Sequence, residues 1–153
     1  TAMHKYLEDL ILGQRSMDLT TTGQEAQRMA EIIVEKGLND CSNVYGVEAT
    51  LYYPGLYAGQ TDVVGIYNGR ESIIDFKQSN KPKKREWIDD YFIQLGAYAM
   101  AHNFIYDTKI QSGIILMCTK DFLFQKFEVS GREFVRYQHE FLKKVDQYHK
   151  NCT

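Results

Sequence analysis

Apolar positions along this chain change period several times, and each change marks an element. Leu7, Leu10 and Ile11 recur at helical spacing and Gly13 closes the run, which predicts an amphipathic helix over residues 2–12, with His4 one turn before Leu7 on its inward side. The same period returns over residues 24–36 with Ala26, Met29, Ile32 and Ile33, behind capping threonines at 20–22 and ahead of Gly37. From Asn43 the spacing drops to two: Tyr45, Val47, Ala49 and Leu51 alternate until Pro54 and Gly55 break the run, which predicts a strand and a turn. Residues 57–67 and 70–78 form two more extended runs, joined by Asn68 and Gly69, a strong hairpin signal that makes the pair antiparallel.

Residues 79–86 are polar and basic and carry no core-forming period, so they predict an exposed loop. A helix over residues 87–103 follows, with Ile88, Phe92, Leu95 and Ala99 on one face and Asp89 and Asp90 where a helix N-terminus favours negative charge. Residues 110–119 predict a buried strand, residues 122–129 a second one after a tight turn at Lys120 and Asp121, and residues 131–149 a final helix with Phe134, Tyr137, Phe141, Leu142 and Val145 inward. This order implies an α/β fold with a mixed β-sheet flanked by helices: three antiparallel strands, a crossover helix, then two further strands. A strand that returns through a long helix pairs in parallel.

With 153 residues, 44% of them hydrophobic, the chain suffices for one domain over residues 1–153, and its opening inside a helical pattern fits a fragment of a longer chain. The 20 acidic and 18 basic residues nearly balance, which excludes a polybasic or acidic tail protein, so an anionic partner must be met by a local patch. No apolar run approaches the roughly 20 residues of a bilayer span, and no signal-peptide core is present at the start, so an intracellular location without a membrane partner is expected. Cys41, Cys118 and Cys152 are odd in number and widely separated, which suits a reducing compartment, cytoplasm or nucleoid, and neither a disulfide framework nor a zinc or iron–sulfur spacing.

The hairpin turn permits a register calculation. With a two-residue loop Tyr67 opposes Arg70, every paired position then sums to 137, and Asp62 falls opposite Asp75 with Lys77 on the same face. Two opposed carboxylates on a sheet repel, and Asp is a poor strand residue, so the arrangement requires a compensating partner. A hard divalent cation such as Mg²⁺ takes such oxygens together with substrate phosphate, and a nearby lysine offsets charge developing on that phosphate. The plainer alternative is Lys77 pairing with Asp75 and Asp62 on a solvated sheet face. Glu48 opposes Asp62 only if the Pro54–Gly55 turn makes a three-residue loop; one residue more or less turns it to the other face. Gln94 and Tyr98, one helical turn apart, are equally the polar edge of an amphipathic helix.

Gly59-Gln60-Thr61-Asp62, Ile73-Ile74-Asp75-Phe76-Lys77 and Gln94-Leu95-Gly96-Ala97-Tyr98 resemble, in order, the motifs of the PD-(D/E)xK nuclease superfamily. The likeness is to its RecB-like exonuclease branch, which includes mitochondrial genome maintenance and phage nucleases. Thr1-Ala-Met-His4-Lys-Tyr-Leu-Glu8 looks like that branch's histidine helix, so the resemblance spans residues 1–102. It implies a restriction-endonuclease-like fold in which Asp62, Asp75, the backbone carbonyl of Phe76 and His4 hold Mg²⁺ or Mn²⁺. Lys77 would activate water, and Gln94 and Tyr98 would contact the nucleic-acid backbone or steady Lys77. Without the resemblance, His4 is a core histidine. Thr61 stands where the literal motif has proline, and the iron–sulfur cysteines of some relatives have no counterpart, so no cluster is expected.

Lys81, Lys83, Lys84 and Arg85 follow directly on the Asp-x-Lys strand and could capture a phosphate backbone at the mouth of the site, with Trp87 or Tyr91 stacking on an unpaired base. The expectation is a metal-dependent DNA exonuclease that acts on single-stranded or frayed ends and hydrolyses phosphodiesters with metal-activated water. Two alternatives stay open: a structure-specific endonuclease of the junction-resolvase type, and a nucleic-acid-binding module without catalysis.

Overall fold

The computed structural model describes residues 21–38, 41–47, 50–53, 57–60 and 63–151. The helix expected over residues 2–12 with His4, and also Glu48, Asp62 and Cys152, lie outside the described residues.

Helix α1 (Thr21–Lys36) precedes strands β1 (Cys41–Val47), β2 (Thr50–Tyr53), β3 (Tyr57–Gln60), β4 (Val63–Tyr67) and β5 (Arg70–Ser79). Helix α2 (Asp89–Tyr106), strands β6 (Ser112–Thr119) and β7 (Phe124–Ser130), and helix α3 (Gly131–Asn151) complete the order. Five strands form one mixed sheet in the order β1-β4-β5-β6-β7, and β2 and β3 form a separate two-stranded ribbon. The crossover through α2 returns β6 parallel to β5, as expected, and the other neighbours are antiparallel.

The β4–β5 hairpin carries the register that the sequence implies. Asn68 and Gly69 take positive φ values of 50° and 77°, the left-handed pair a two-residue hairpin turn requires. The pairs Tyr67↔Arg70 through Val63↔Ile74 follow the calculated ladder without a slip. Two expected strands each have two described parts. The pattern over residues 43–51 is described in β1 and β2 and that over residues 57–67 in β3 and β4, and β1 carries register shifts between Cys41 and Asn43 and between Val44 and Gly46. Such bulges add local twist to β1.

Alternate residues of β5 serve two cores. Ile74 and Phe76 pack with Met29 and Ile33 of α1, Tyr67, Ile114 and Leu116, whereas Ile73 packs with Ile88, Phe92, Leu95, Phe134, Tyr137, Ile115 and Met117. All eight residues of β6 are buried, as befits a central strand covered on both faces. On the first side the close approach is set at Gly37, whose carbonyl accepts a 2.7 Å bond from the buried Tyr67 hydroxyl. A Cβ there would stand 2.8 Å from the Ile33 carbonyl oxygen and 2.7 Å from Leu116 Cδ1.

Three details differ from expectation. Residues Arg85–Trp87 form a single 3₁₀ turn and the α-helix opens at Asp89, not at Trp87. Leu142 of α3 is exposed and Phe141 half-buried, because the buried side chains of this helix, Phe134 and Tyr137, lie in its first two turns. Strand β7 starts at Phe124, leaving Phe122 in the turn.

Arg85 joins the two helices on the second core. Its guanidinium lies 4.2 Å from the Phe92 ring centroid, and pairs with Asp89 at 3.3 Å and with Glu133 at 2.8 Å. The Tyr137 hydroxyl donates to the same Asp89 carboxylate at 2.7 Å. Both carboxylates sit in first turns of helices, where they also meet the positive end of the helix dipole. Replacing Arg85 with Ala is expected to lower stability by about 1 kcal/mol, and the melting temperature by about 2–4 °C. Lys81→Ala, in the exposed loop, should stay within about 0.5 kcal/mol of the parent, both variants being read by urea titration.

The link between α2 and β6 is closed by side chains. Asn103 bonds Ile110 in both directions, donating to its carbonyl at 3.2 Å and accepting from its N–H at 2.8 Å. The Thr108 hydroxyl donates to Asn103 Oδ1, so the Nδ1 of the buried His102, 2.8 Å from that hydroxyl, carries the proton. Burial pushes the His102 pKa below its ordinary value, and the Glu71 carboxylate pulls weakly the other way. A histidine held neutral in the folded state costs stability once the unfolded chain takes up a proton. The melting temperature should therefore hold above the ordinary histidine pKa of about 6.5 and fall as pH drops below it. His102→Gln should flatten that part of the profile, as read by thermal melts from pH 7.5 to 5.5.

Candidate active site

Asp75 and Lys77 stand two residues apart on β5, on the face shared with Ile73 and turned to α2. Their side chains meet: Lys77 Nζ lies 3.0 Å from Asp75 Oδ2, with 28% and 14% of the two side chains exposed. The pair is sunk into the surface and still reachable. Strand β6 runs beneath it in parallel, setting Ile115 beside Asp75 and Met117 beside Lys77, so the floor is apolar. Phe76, between them, is buried and its ring points into the opposite core, which leaves its backbone as the part that can serve the site.

Helix α2 supplies the facing wall. Lys77 Nζ lies 4.7 Å from the Tyr91 ring centroid, so this tyrosine, one of the two candidates for stacking on a base, supports the lysine. Gln94 Nε2 donates to the Tyr98 hydroxyl at 2.6 Å, which joins the two motif residues at helical spacing. The hydroxyl accepts this bond and keeps its own proton to donate elsewhere. Tyr91, Gln94 and Tyr98 follow at intervals of three and four residues and so share one side of the helix. The one-turn spacing of Gln94 and Tyr98 was legible from the sequence; their bond to each other was not expected, nor was the Tyr91 contact, because an aromatic near a lysine 14 positions earlier gives no periodic signal.

The basic stretch after β5 divides. Lys81 and Lys84 are exposed, and Lys84 Nζ stands 5.3 Å from the centroid of the exposed Trp87 ring. Lys83 is half-buried, and its backbone N–H and carbonyl each bond the Gln125 side chain at 2.9 Å. Arg85, expected to meet phosphate, is instead committed to the clasp with Asp89, Glu133 and Phe92. Sequence spacing could not show this, since Glu133 is 48 residues away.

The expected ligand His4 and the acidic residues Asp62 and Glu48 lie outside the described residues. The β4–β5 ladder ends at Val63↔Ile74, one step short of positions 62 and 75. The ribbon pairs Thr50↔Gln60 and the main sheet pairs Val47↔Val63, so the same register sum of 110 holds on both sides of positions 48 and 62. The last pair of the ribbon is Tyr53↔Tyr57. Among the described residues, no group of three or more His, Cys, Asp or Glu side chains could hold a metal ion. The donors that are described at this point, an aspartate carboxylate and a strand carbonyl, are hard oxygens of the kind Mg²⁺ and Mn²⁺ take. No helix among the described residues is long and apolar enough to cross a membrane.

No protein-family model matches the chain. It is 32% identical over 124 residues to mitochondrial genome maintenance exonuclease 1 of Mus musculus, covering 77% of this chain and 36% of that protein. The Homo sapiens protein of the same name is 36% identical over 94 residues, covering 58% of this chain and 27% of the relative. The chain therefore spans about a third of the length of the relatives it matches. Among solved structures, a candidate exonuclease from Eubacterium rectale superposes with a TM-score of 0.66 over 97% of this chain and 64% of its own. Its identity is 14%, so the likeness is one of fold. The motifs, the restriction-endonuclease-like sheet and these relatives agree: the chain is related to the mitochondrial genome maintenance exonucleases and, with them, to the PD-(D/E)xK-type nucleases.

Proposed function

We propose that this chain is a metal-dependent deoxyribonuclease that works as an exonuclease on single-stranded or frayed DNA ends. The observation that carries the reading is the Asp75–Lys77 pair, set by a hairpin register on the sheet face beneath α2, in a chain related to exonucleases. The ladder continued by one step would bring Asp62 to Asp75, and the register of 110 would bring Glu48 to Asp62. These carboxylates, the Phe76 carbonyl and His4 would hold the ion. A bound Mg²⁺ or Mn²⁺ supplies positive charge against the scissile phosphate and acidity to a water.

The chain's own groups do the rest. Lys77, held in place by Asp75 and the Tyr91 ring, orients the attacking water and offsets charge that builds on the phosphate oxygens. Tyr98, whose hydroxyl is aligned by Gln94, donates its proton in a hydrogen bond to a non-bridging phosphate oxygen. The apolar floor of β6 keeps bulk water from screening these contacts. Lys81 and Lys84 lie within a few residues of the pair and draw the polyanion toward it.

The test is nucleotide release from 5′- and 3′-labelled single-stranded DNA with Mg²⁺, Mn²⁺ or EDTA. Release with either ion and none with EDTA is expected, with Asp75→Asn and Lys77→Ala each slowing it by about 10²- to 10³-fold. Cleavage that survives EDTA, or that both variants leave intact, would refute the reading. Binding without any cleavage would leave a nucleic-acid-binding module in its place.

A further inference from the structure

The turn between β6 and β7 departs from the chemistry that its own geometry asks for. The Phe122 N–H bonds the Thr119 carbonyl at 2.9 Å, the Thr119 N–H bonds the Leu123 carbonyl at 3.0 Å, and the Leu123 N–H bonds Thr119 Oγ1 at 3.1 Å. This is a three-residue hairpin loop whose third position is left-handed, a place where glycine or asparagine is the usual occupant. Phenylalanine stands there, at a φ of 63°. A bulky side chain in that region strains the backbone, and a core contact does not repay it: Phe122 is 40% exposed and Leu123 beside it 49% exposed.

The position of this turn gives the strain a use. In the parallel ladder Lys77 faces Met117 and Ser79 faces Thr119, so the turn begins two residues beyond the strand partner of Lys77. It is fixed to the basic loop: the Lys120 N–H donates to the Ser79 carbonyl at 3.1 Å, and Gln125 holds both backbone groups of Lys83. The rim so formed carries Phe122, Leu123 and Trp87 as exposed apolar groups among Lys81, Lys83, Lys84 and Lys120, with Asp121 and Glu86 the opposing charges. Cations interleaved with exposed rings match an unpaired strand, whose phosphates take the lysines and whose bases take the rings.

We infer that Phe122 is a base-stacking residue on a rim, shared by the β6–β7 turn and the basic loop, that selects unpaired DNA over duplex and leads it to Lys77. The inference rests on the nuclease reading and deepens it. A duplex keeps its bases stacked internally and offers this ring only its backbone, so the discrimination lies in the exposed base.

The experiment is fluorescence anisotropy with a fluorescein-labelled oligothymidylate of about 12 nucleotides and with a blunt duplex of mixed sequence, both in EDTA so that nothing is cut. Hydrolysis of bis(p-nitrophenyl) phosphate with Mn²⁺ is measured in parallel as a probe of the reaction centre alone. Phe122→Gly suits the left-handed backbone, so its melting temperature should hold or rise. Its affinity for the oligothymidylate should nevertheless fall by about 5- to 50-fold, with duplex affinity and bis(p-nitrophenyl) phosphate hydrolysis unchanged. Phe122→Tyr should retain single-strand affinity. Unchanged oligothymidylate binding by Phe122→Gly, or an equal loss on single strand and duplex, would overturn the inference. A parent protein that binds the oligothymidylate but hydrolyses neither DNA nor the small diester would refute the nuclease reading and leave the rim standing.

Discussion

The site depends on one constraint, the two-residue turn at Asn68 and Gly69. Both residues are left-handed, and this conformation matches the twist of the strands it joins and permits a single register. A slip of one residue would move Asp75 and Lys77 from the α2 face to the α1 face and put Ile74 and Phe76 in their place, breaking both cores. The chemistry and the packing are therefore specified by the same ladder. The apolar residues on one side of β5 hold the polar ones in register on the other.

The layer above that ladder is held by charge and aromatic contact as well as by apolar packing. Arg85 lies on the Phe92 ring and spans the first turns of α2 and α3, and Tyr91, next to Phe92 in that first turn of α2, receives Lys77. A residue expected to meet DNA thus fixes the helix that carries Gln94 and Tyr98. The same loop divides its four cations between support and exposure, with Arg85 turned inward and Lys81 and Lys84 outward.

Much of this was legible beforehand because the strongest signals were local. The hairpin dipeptide, the i and i+4 pair Gln94 and Tyr98, and the apolar run of β6 each depend on neighbours a few residues apart. Where the reading failed, distant residues decided. The bulges of β1 arise from pairing with β4, and the Arg85 clasp requires Glu133. Leu142 fits the helical period of α3 and yet stays exposed, since periodicity marks a face but not how far along a helix that face stays covered. Phe122 was taken as the first residue of a strand, because a phenylalanine in a left-handed turn contradicts the local preference that sequence reading relies on.

The parallel pairing of β5 with β6 also orders how the protein comes into being. Val63 and Ile74 meet across a short hairpin, whereas Ser72 pairs with Ser112 only after all of α2 has been made. Local hairpins close in microseconds, and contacts of large sequence separation come late. On a ribosome the strand bearing Asp75 and Lys77 would emerge with one edge satisfied and the other open until β6 arrived. The strand bearing Asp75 and Lys77 is thus an unprotected edge during synthesis, and the lysines that follow it act against pairing with another nascent chain, as charges do on natural sheet edges.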